Sequence, residues 1–544
     1  MGEYFLTNTL SAQQLHTLAS SSAASGAQGL QDLVAAGAHG TAPQNLARDL
    51  LRTCTRGSPW PAPYFADIPV MNKATRQESM ASIPVLLPHE MLEVIAHANP
   101  EMIKAFVAAN IEEPQLKATA TEWAAMFQKD MNKLIPLGLH GDGVPFAAKM
   151  RDSLEQLSWS FAADPCAPRV LFTAIPKSAM LGRKSWDAVL QVFAWSMQQL
   201  ALGTWPMSRH TGEAWASTDK ARSKRGGQKL TYHAALLQCR GGWALYNSVF
   251  DFPSWSSKNI CWKCRASKGG AFDYKEAGSD AAWRAQRLEG HAFLAEQRAA
   301  GITPSTIFST PGFQVKHCMV DYLHTMDLGV AADCLGNLFL EILCLLPGTR
   351  AEKVASLWGR IKEWYRVHRP HSQLQTLTWE MIKKDATTPA KLRAKAGECR
   401  VLIPFGAALA KEFDNGDPHR RTVAHLMHHL EEISVLVTSV PYQAGRTAQT
   451  CKRFALLYTA LEEEAMEQED LLSWRSKPKL HLAQELLEYT ALEAGSPSRY
   501  WTYIDESWGG WLATTGARRG GPNNPAQVSL NLIQRFRAFI AEGL

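Results

Sequence analysis

Two aspartates stand where metal chemistry would put them. Asp142 lies between Gly141 and Gly143 at the end of the apolar run IPLGLHGDG (135–143), and Asp251 sits near the end of WALYNSVFDFP (243–253), which Pro253 stops. If both runs are strands, each carboxylate projects from a rigid element into the crevice beyond a sheet, the fixed placement a metal site needs. Mg2+ takes hard oxygen ligands at about 2.0–2.1 Å and keeps some of its waters. Two such ions, about 3.5–4 Å apart, activate an attacking oxygen and stabilise a leaving one. Three carboxylates from separate parts of a chain are a common way to hold them. The same two aspartates also fit a turn and a strand-end cap.

A second constellation is built on sulfur. Cys261 and Cys264, in CWKC, have the spacing of thiolates on a tetrahedral Zn2+. A complete site needs two more ligands, and His291, His317 and Cys318 lie downstream within reach of a loop. The alternative is a pair of buried thiols in a tight turn. Asp321 and His324, at i and i+3 of DYLHTMDLGV (321–330), share one face of an expected helix. His425, His428 and His429 fall at helical spacing with no carboxylate or cysteine in a ligand pattern beside them, which reads as a helix face or interface.

These residues need elements to position them. Residues 88–134 carry apolar side chains three and four apart, a helical period. Three strands are expected next, from IPLGLHGDG, EQLSWSF (155–161) and RVLFTAI (169–175), and then the amphipathic helix WDAVLQVFAWSMQQLAL (186–202). WALYNSVFDFP is expected to be the fourth strand. A helical block over 325–475 and the late helices KLHLAQELLEY (479–489) and IDESWGGWLA (504–513) complete the order. The expected divisions are a mainly helical region 1–134, a core 135–330, a helical insertion 331–475 and a closing part of the core 476–544.

Composition bounds the class. The 544 residues include 46% hydrophobic and 20% charged, so a sizeable core is expected. Lys+Arg 57 against Asp+Glu 51 gives +6, which permits a polyanionic partner without requiring one. No unbroken apolar run approaches the roughly 18 residues of a membrane span; the most apolar stretch, Leu335–Leu346, carries Asn337 and Glu341. Scattered cysteines, ten in all, and an N-terminus unlike a secretory signal make an intracellular chain the expectation.

Four segments in order, GDGVPF (141–146), VFDFPSW (249–255) running into CWKC, DYLHTMDLGV and RYWTYIDESWGGW (499–511), resemble the transposases of the CACTA (En/Spm) group. The series spans about residues 135–520, and its order rather than any single motif carries the likeness. The resemblance implies a mixed α/β fold: an RNase H-like core with a large helical insertion and a helical N-terminal region. It implies Asp142, Asp251 and Glu506 as catalytic metal ligands for Mg2+ or Mn2+, with Glu485 as the alternative third acid. Asp321 and His324 become a supporting pair, and Zn2+ at the CxxC gains weight. One residue rather than two separates the Gly143 and Pro145 of the first motif, DxMH is DYLH here, and the last acid lies in IDES; this last departure leaves the third carboxylate open between the two glutamates.

The activity implied is cleavage and transfer of DNA strands at transposon ends in the nucleus, on double-stranded DNA and with a homo-oligomer as a further expectation. A domesticated relative that binds DNA without cutting it is the alternative. Phosphates are held by Lys and Arg. The expected contacts are Lys220, Arg222, Lys224, Arg225 and Lys229 of KARSKRGGQK (220–229), and Arg518 and Arg519 of ARRGG (517–521).

Overall fold

The core is a four-stranded sheet whose long central strand carries Asp142. β1 (Tyr64–Met71) and β2 (Glu78–Val85) form a separate antiparallel hairpin. β3 (Leu134–Ala147), β4 (Asp152–Phe161) and β5 (Val170–Pro176) form an antiparallel meander, and β6 (His233–Arg240) lies parallel to β3 on its other side. The order is β5-β4-β3-β6. A single parallel bridge from Cys239 to Cys318 adds a rung beyond β6, with Met319 N–H donating to the Cys239 carbonyl (2.9 Å). The computed structural model describes residue 5 and residues 10–37, 45–54, 60–72, 75–147, 152–288, 290–517 and 524–543.

Helices cover both faces. The first, α1 (Ala12–Ala24) and α2 (Asn45–Cys54), share a small core with Phe5 and Ala538. α3 (Pro88–Ala98) and α4 (Pro114–Phe127) precede the sheet. α5 (Arg183–Leu202) is the crossover that lets β5 be followed by a strand parallel to β3. α6 (Trp243–Phe250) follows β6 at once. A π-helical stretch, Leu323–Val330, runs into α7 (Ala331–Leu345). α8 (Arg350–His368), α9 (Ala396–Phe413), α10 (Pro418–Leu436) and α11 (Ala444–Glu467) build the helical block. α12 (Pro478–Gln484) continues through π-helical turns, Glu485–Thr490. The chain ends with α13 (Tyr503–Ala517) and α14 (Pro525–Gly543).

The mixed α/β class and the three-strand meander agree with the sequence reading. Two expectations change. The 243–253 segment is not a strand: Trp243–Phe250 is helical, and the fourth strand is the preceding HAALLQCR. All but the first residue of that strand is buried, so it lacks the alternation that marks a half-solvated strand. The region 1–134, expected to be mainly helical, also holds the β1–β2 hairpin. Leu323–Leu345 is long and apolar enough to cross a membrane (mean hydropathy 1.8), but 72% of its apolar window is packed inside the protein, where it serves as the central helix of the block.

Candidate active site and metal centre

β3 sets the site. Residues 140, 142 and 144 point to one face and 139 and 141 to the other, because side chains alternate along a strand. On the second face a Cβ at Gly141 would lie 2.8 Å from Leu245 Cδ1, so α6 crosses close over the strand there. On the first face lies α13. A Cβ on its Gly509 would lie 2.6 Å from Val144, so this helix presses directly onto the strand beside Asp142.

The helix is held there by a buried charge cluster. Asp505 accepts from Arg169 through Nε (2.9 Å) and Nη2 (3.0 Å), and Arg240, at the end of β6, lies 3.6 Å away. All three side chains are essentially buried. Burial works against the Asp505 charge, but Arg240, His140 and Arg169 outweigh it and hold the carboxyl below the usual range. Two guanidiniums on one carboxylate fix the first turn of α13, and with it Glu506.

Glu506 stands within electrostatic reach of Asp142. Burial and then the charge of Asp142 push its carboxyl up from 4.5 to about 7, with Asp321 adding to the repulsion and His324 opposing it. His324 Nε2 lies 3.6 Å from Glu506 Oε1. On its other side the His324 ring donates through Nδ1 to Asp321 Oδ2 (2.7 Å), and its backbone N–H donates to the same oxygen (2.8 Å). The other Asp321 oxygen accepts from Thr502 N–H (3.0 Å), just ahead of α13. Burial disfavours the imidazolium, but the hydrogen bond and charge of Asp321 prevail, with help from Glu506 and Asp142, and the His324 pKa rises. The π-helical backbone at Leu323–Val330 shapes this turn; such bulges are frequent at functional sites.

Asp142, Asp321 and His324 therefore line one cleft with Glu506 beside His324, although no three of the four bring ligand atoms within 4.8 Å of one another. Asp251 does not join them. It caps α6 in the left-handed conformation (φ 52°) and pairs with Arg183, which also binds Asp187 (2.8 Å) and the Thr303 carbonyl (2.9 Å). The eight residues of α6 span about 12 Å, and that length separates Asp251 from the cleft at Gly242. The expected strand is a helix, so its last residue is carried away from the sheet end. The acid beside Asp142 that the sequence reading ranked as support is Asp321, delivered by the rung next to β6.

The thiols find partners other than those expected. Cys261, Cys264, His481 and Glu485 place one ligand atom each within 4.8 Å of one another, all buried. Cys264 Sγ lies 3.4 Å from His481 Nε2, and His481 Nε2 lies 3.6 Å from Glu485 Oε1. Arg287 Nη1 donates to both Glu485 oxygens (2.6 and 2.7 Å). Burial opposes the Cys261 thiolate, yet the Cys264 hydrogen bond and His481 lower its pKa to about 6, while burial and Cys261 push Cys264 up. Two sulfurs, an imidazole and a carboxylate are a fitting donor set for tetrahedral Zn2+, and Arg287 would orient the carboxylate from outside.

His291 is exposed, and His317 accepts from the Gln314 backbone (3.1 Å) away from this cluster. Cys318 is buried where its strand bridges Cys239. None of the three belongs to the thiol group, and Glu485 is a thiol partner rather than a third acid beside Asp142. His481 was missed, although HLAQE sets His481 and Glu485 four apart on one helix face, a ligand spacing visible in the sequence.

The basic segments divide. Lys220–Arg225 is a short helix, not a loop, and Arg222 is tied to Glu90 through Nε and Nη2 (2.6 and 2.8 Å) and to Asp219 (2.9 Å), so its charge is spent inside the fold. Arg225 lies over the Trp205 ring (4.7 Å), while Lys220, Lys224 and Lys229 are exposed. This segment leads into the start of β6, where His233 pairs Leu134; Asp142 lies about 26 Å further along β3 at ~3.3 Å per residue. Arg518 and Arg519 lie outside the described residues. His428, His429 and Glu432 also come within ligand distance, but Glu432 is engaged by Arg446 (2.5 Å) and Thr450 (3.2 Å).

A cleft of about 840 Å³ opens from this site. Asp142, Asp321 and His324 line one end, and Trp255, Tyr274 and Lys268 are among the residues of its walls. No protein-family model matches the chain, and no curated protein matches it.

Proposed function

We propose that the chain is a DNA strand transferase of the transposase type, with an RNase H-like core, whose divalent metal ions are held by Asp142 and Glu506 with Asp321 beside them. The observation that carries this reading is the packing of the closing helix onto the central strand beside Asp142, which brings Glu506 within electrostatic reach of that carboxylate. Two carboxylates brought together at the cost of raising one of them to about 7 are stabilised by a divalent cation between them. The donor set is all oxygen, which suits Mg2+ or Mn2+. When bound, such ions supply an activated attacking oxygen and charge stabilisation for the leaving one. The strand order and direction, an antiparallel meander with the next strand parallel to its first, support the RNase H-like core.

The chain's own residues have separable tasks. Asp142 and Glu506 hold metal. Asp321 fixes His324 in the tautomer with Nδ1–H and turns Nε2 toward Glu506, where it can take or return a proton. Asp505, Arg169 and Arg240 lock the helix that presents Glu506. Cys261, Cys264, His481 and Glu485 would hold a structural Zn2+ that ties the CxxC loop to α12. The reading also places the chain on double-stranded DNA in the nucleus. A homo-oligomer belongs to the same proposal.

The second reading, a domesticated DNA-binding protein without catalysis, is favoured by one observation: both Asp321 oxygens are already hydrogen-bonded inside the protein. Cleavage of DNA carrying the sequences that flank the gene, with Mg2+ or Mn2+, separates the two. Metal-dependent nicking that Asp142→Asn removes supports the transferase. Binding of the same DNA with no cleavage in either metal supports the binder.

A further inference from the structure

The cleft is longer than a metal site requires, and its far end has a different chemistry. Six cations line it: Lys268, Lys275, Lys391, Arg475, Lys477 and Lys479. Apart from the acids at the catalytic end, Asp273 and Asp333 are the only carboxylates among its described lining residues. Asp333 is shared by Lys477 (2.7 Å) and Lys391 (4.0 Å), and Lys275 pairs with Glu462 (2.6 Å). Lys479 donates to the His324 carbonyl (2.6 Å), which joins this basic wall to the catalytic end. The positive charge exceeds what the fold itself neutralises.

Aromatic rings are interleaved with these cations along the lining. Trp243 is anchored by donating from Nε1 to the Pro253 carbonyl (2.6 Å), and Tyr274 donates to the Ser476 carbonyl (3.2 Å). Trp255 is different: its ring is 66% exposed, the most exposed tryptophan among the described residues, and the Lys268 ammonium stands 5.9 Å from its centre. It sits on the loop that leads into the CxxC turn, where Asn259 bridges Ser267 and Ile260 N–H donates to Ala266 (3.0 Å). The thiol cluster therefore holds this loop in place. A tryptophan presented to solvent from a turn, with a cation beside it and more along the same cleft, is complementary to a flat base carrying a phosphate.

Size decides the form of the ligand. Pockets of roughly 300–1,000 Å³ take ligands of drug size, the class of a nucleotide, and a cleft of about 840 Å³ falls in that range. We propose that the cleft takes unpaired nucleotides of the DNA strand being processed, with a base stacked on Trp255 and its phosphates on Lys268, Arg475 and Lys477. This rests on the transferase reading and adds the form of the substrate: a frayed or single-stranded end, not continuous duplex.

The test is binding without divalent metal, so that catalysis plays no part. Fluorescence anisotropy compares a blunt DNA duplex with the same duplex bearing a short 3′ or 5′ overhang that contains 2-aminopurine. The overhang should tighten binding roughly 5- to 100-fold, the worth of one stacked base, and quench the 2-aminopurine. Trp255→Ala should abolish both effects and Trp255→Phe should keep most of each; Trp255 is exposed, so neither change disturbs the core. Equal binding of blunt and overhanging duplex by the wild type, or an unchanged overhang preference in Trp255→Ala, overturns the inference and leaves the transferase reading standing. An RNA overhang bound in preference to DNA overturns it in favour of RNA. Failure to bind any of these DNAs overturns both.

Discussion

Replacing Glu506 by glutamine should make the metal-free protein more stable at alkaline pH. The Glu506 carboxyl titrates near 7 in the fold against 4.5 unfolded, so between those values the folded protein holds more protons than the unfolded chain. Stability then falls as pH rises through this window and is fully reduced above about 7. The full effect of such a shift on a buried group would be about 3 kcal/mol. The side chain is 35% exposed, and solvent screening reduces this to about 1–2 kcal/mol. Glutamine keeps the shape and removes the charge that repels Asp142. Thermal unfolding in chelator, followed from pH 5 to 8, should show a midpoint that declines with pH in the wild type more steeply than in Glu506→Gln. The difference should reach roughly 1–2 °C, about what this energy yields in a chain this large. Adding Mg2+ at pH 8 should restore the wild type and leave the variant where it was. Parallel pH profiles for the two proteins would refute the opposition of Glu506 and Asp142.

Other perturbations follow from the same geometry. Asp505→Asn leaves Arg169 and Arg240 buried without a counter-charge and should cost about 3–5 kcal/mol in chemical denaturation, whereas Lys224→Ala should cost almost nothing. Metal analysis of protein purified without chelator should find stoichiometric zinc in the wild type and its loss in Cys261→Ser and His481→Ala, while His317→Ala keeps it. His419 bridges Glu341 (3.2 Å) and Glu464 (2.8 Å), and these partners raise it from 6.5 to about 9. Its contribution to stability is present below 6.5 and lost as pH rises through 9, so His419→Gln should flatten the alkaline arm of a thermal-stability profile.

Part of this was legible in the sequence. The meander showed because its three strands are apolar and separated by turns, and Asp142 stood at the end of the first of those apolar runs. The fourth strand hid because it is buried along nearly its whole length, so HAALLQCR gives no alternation, while WALYNSVF, rich in residues common to helices and strands, took its place. That one displacement put Asp251 in the expected metal site and left Asp321 in a supporting role. The thiol partners were illegible for a different reason. They lie more than 200 residues from the CxxC, and only the i, i+4 pair His481 and Glu485 marks them locally. The burial of Arg222 against Glu90 is likewise a tertiary fact, since its neighbours in KARSKRGGQK are exposed lysines.

The central claim is that Asp142 and Glu506, and not Asp251, hold catalytic metal. The most direct measurement is Mg2+- or Mn2+-dependent cleavage of DNA carrying the sequences that flank the gene, by wild type, Asp142→Asn, Glu506→Gln and Asp251→Asn, with DNA binding measured in parallel without metal. The account predicts a loss on the order of a thousandfold or more for the first two variants, because residues of one metal site act as a unit. Their DNA binding should be unimpaired, since neither change removes positive charge, and Asp251→Asn should cut at close to the wild-type rate. Cleavage that survives in Asp142→Asn, or that disappears in Asp251→Asn with binding intact, would contradict it.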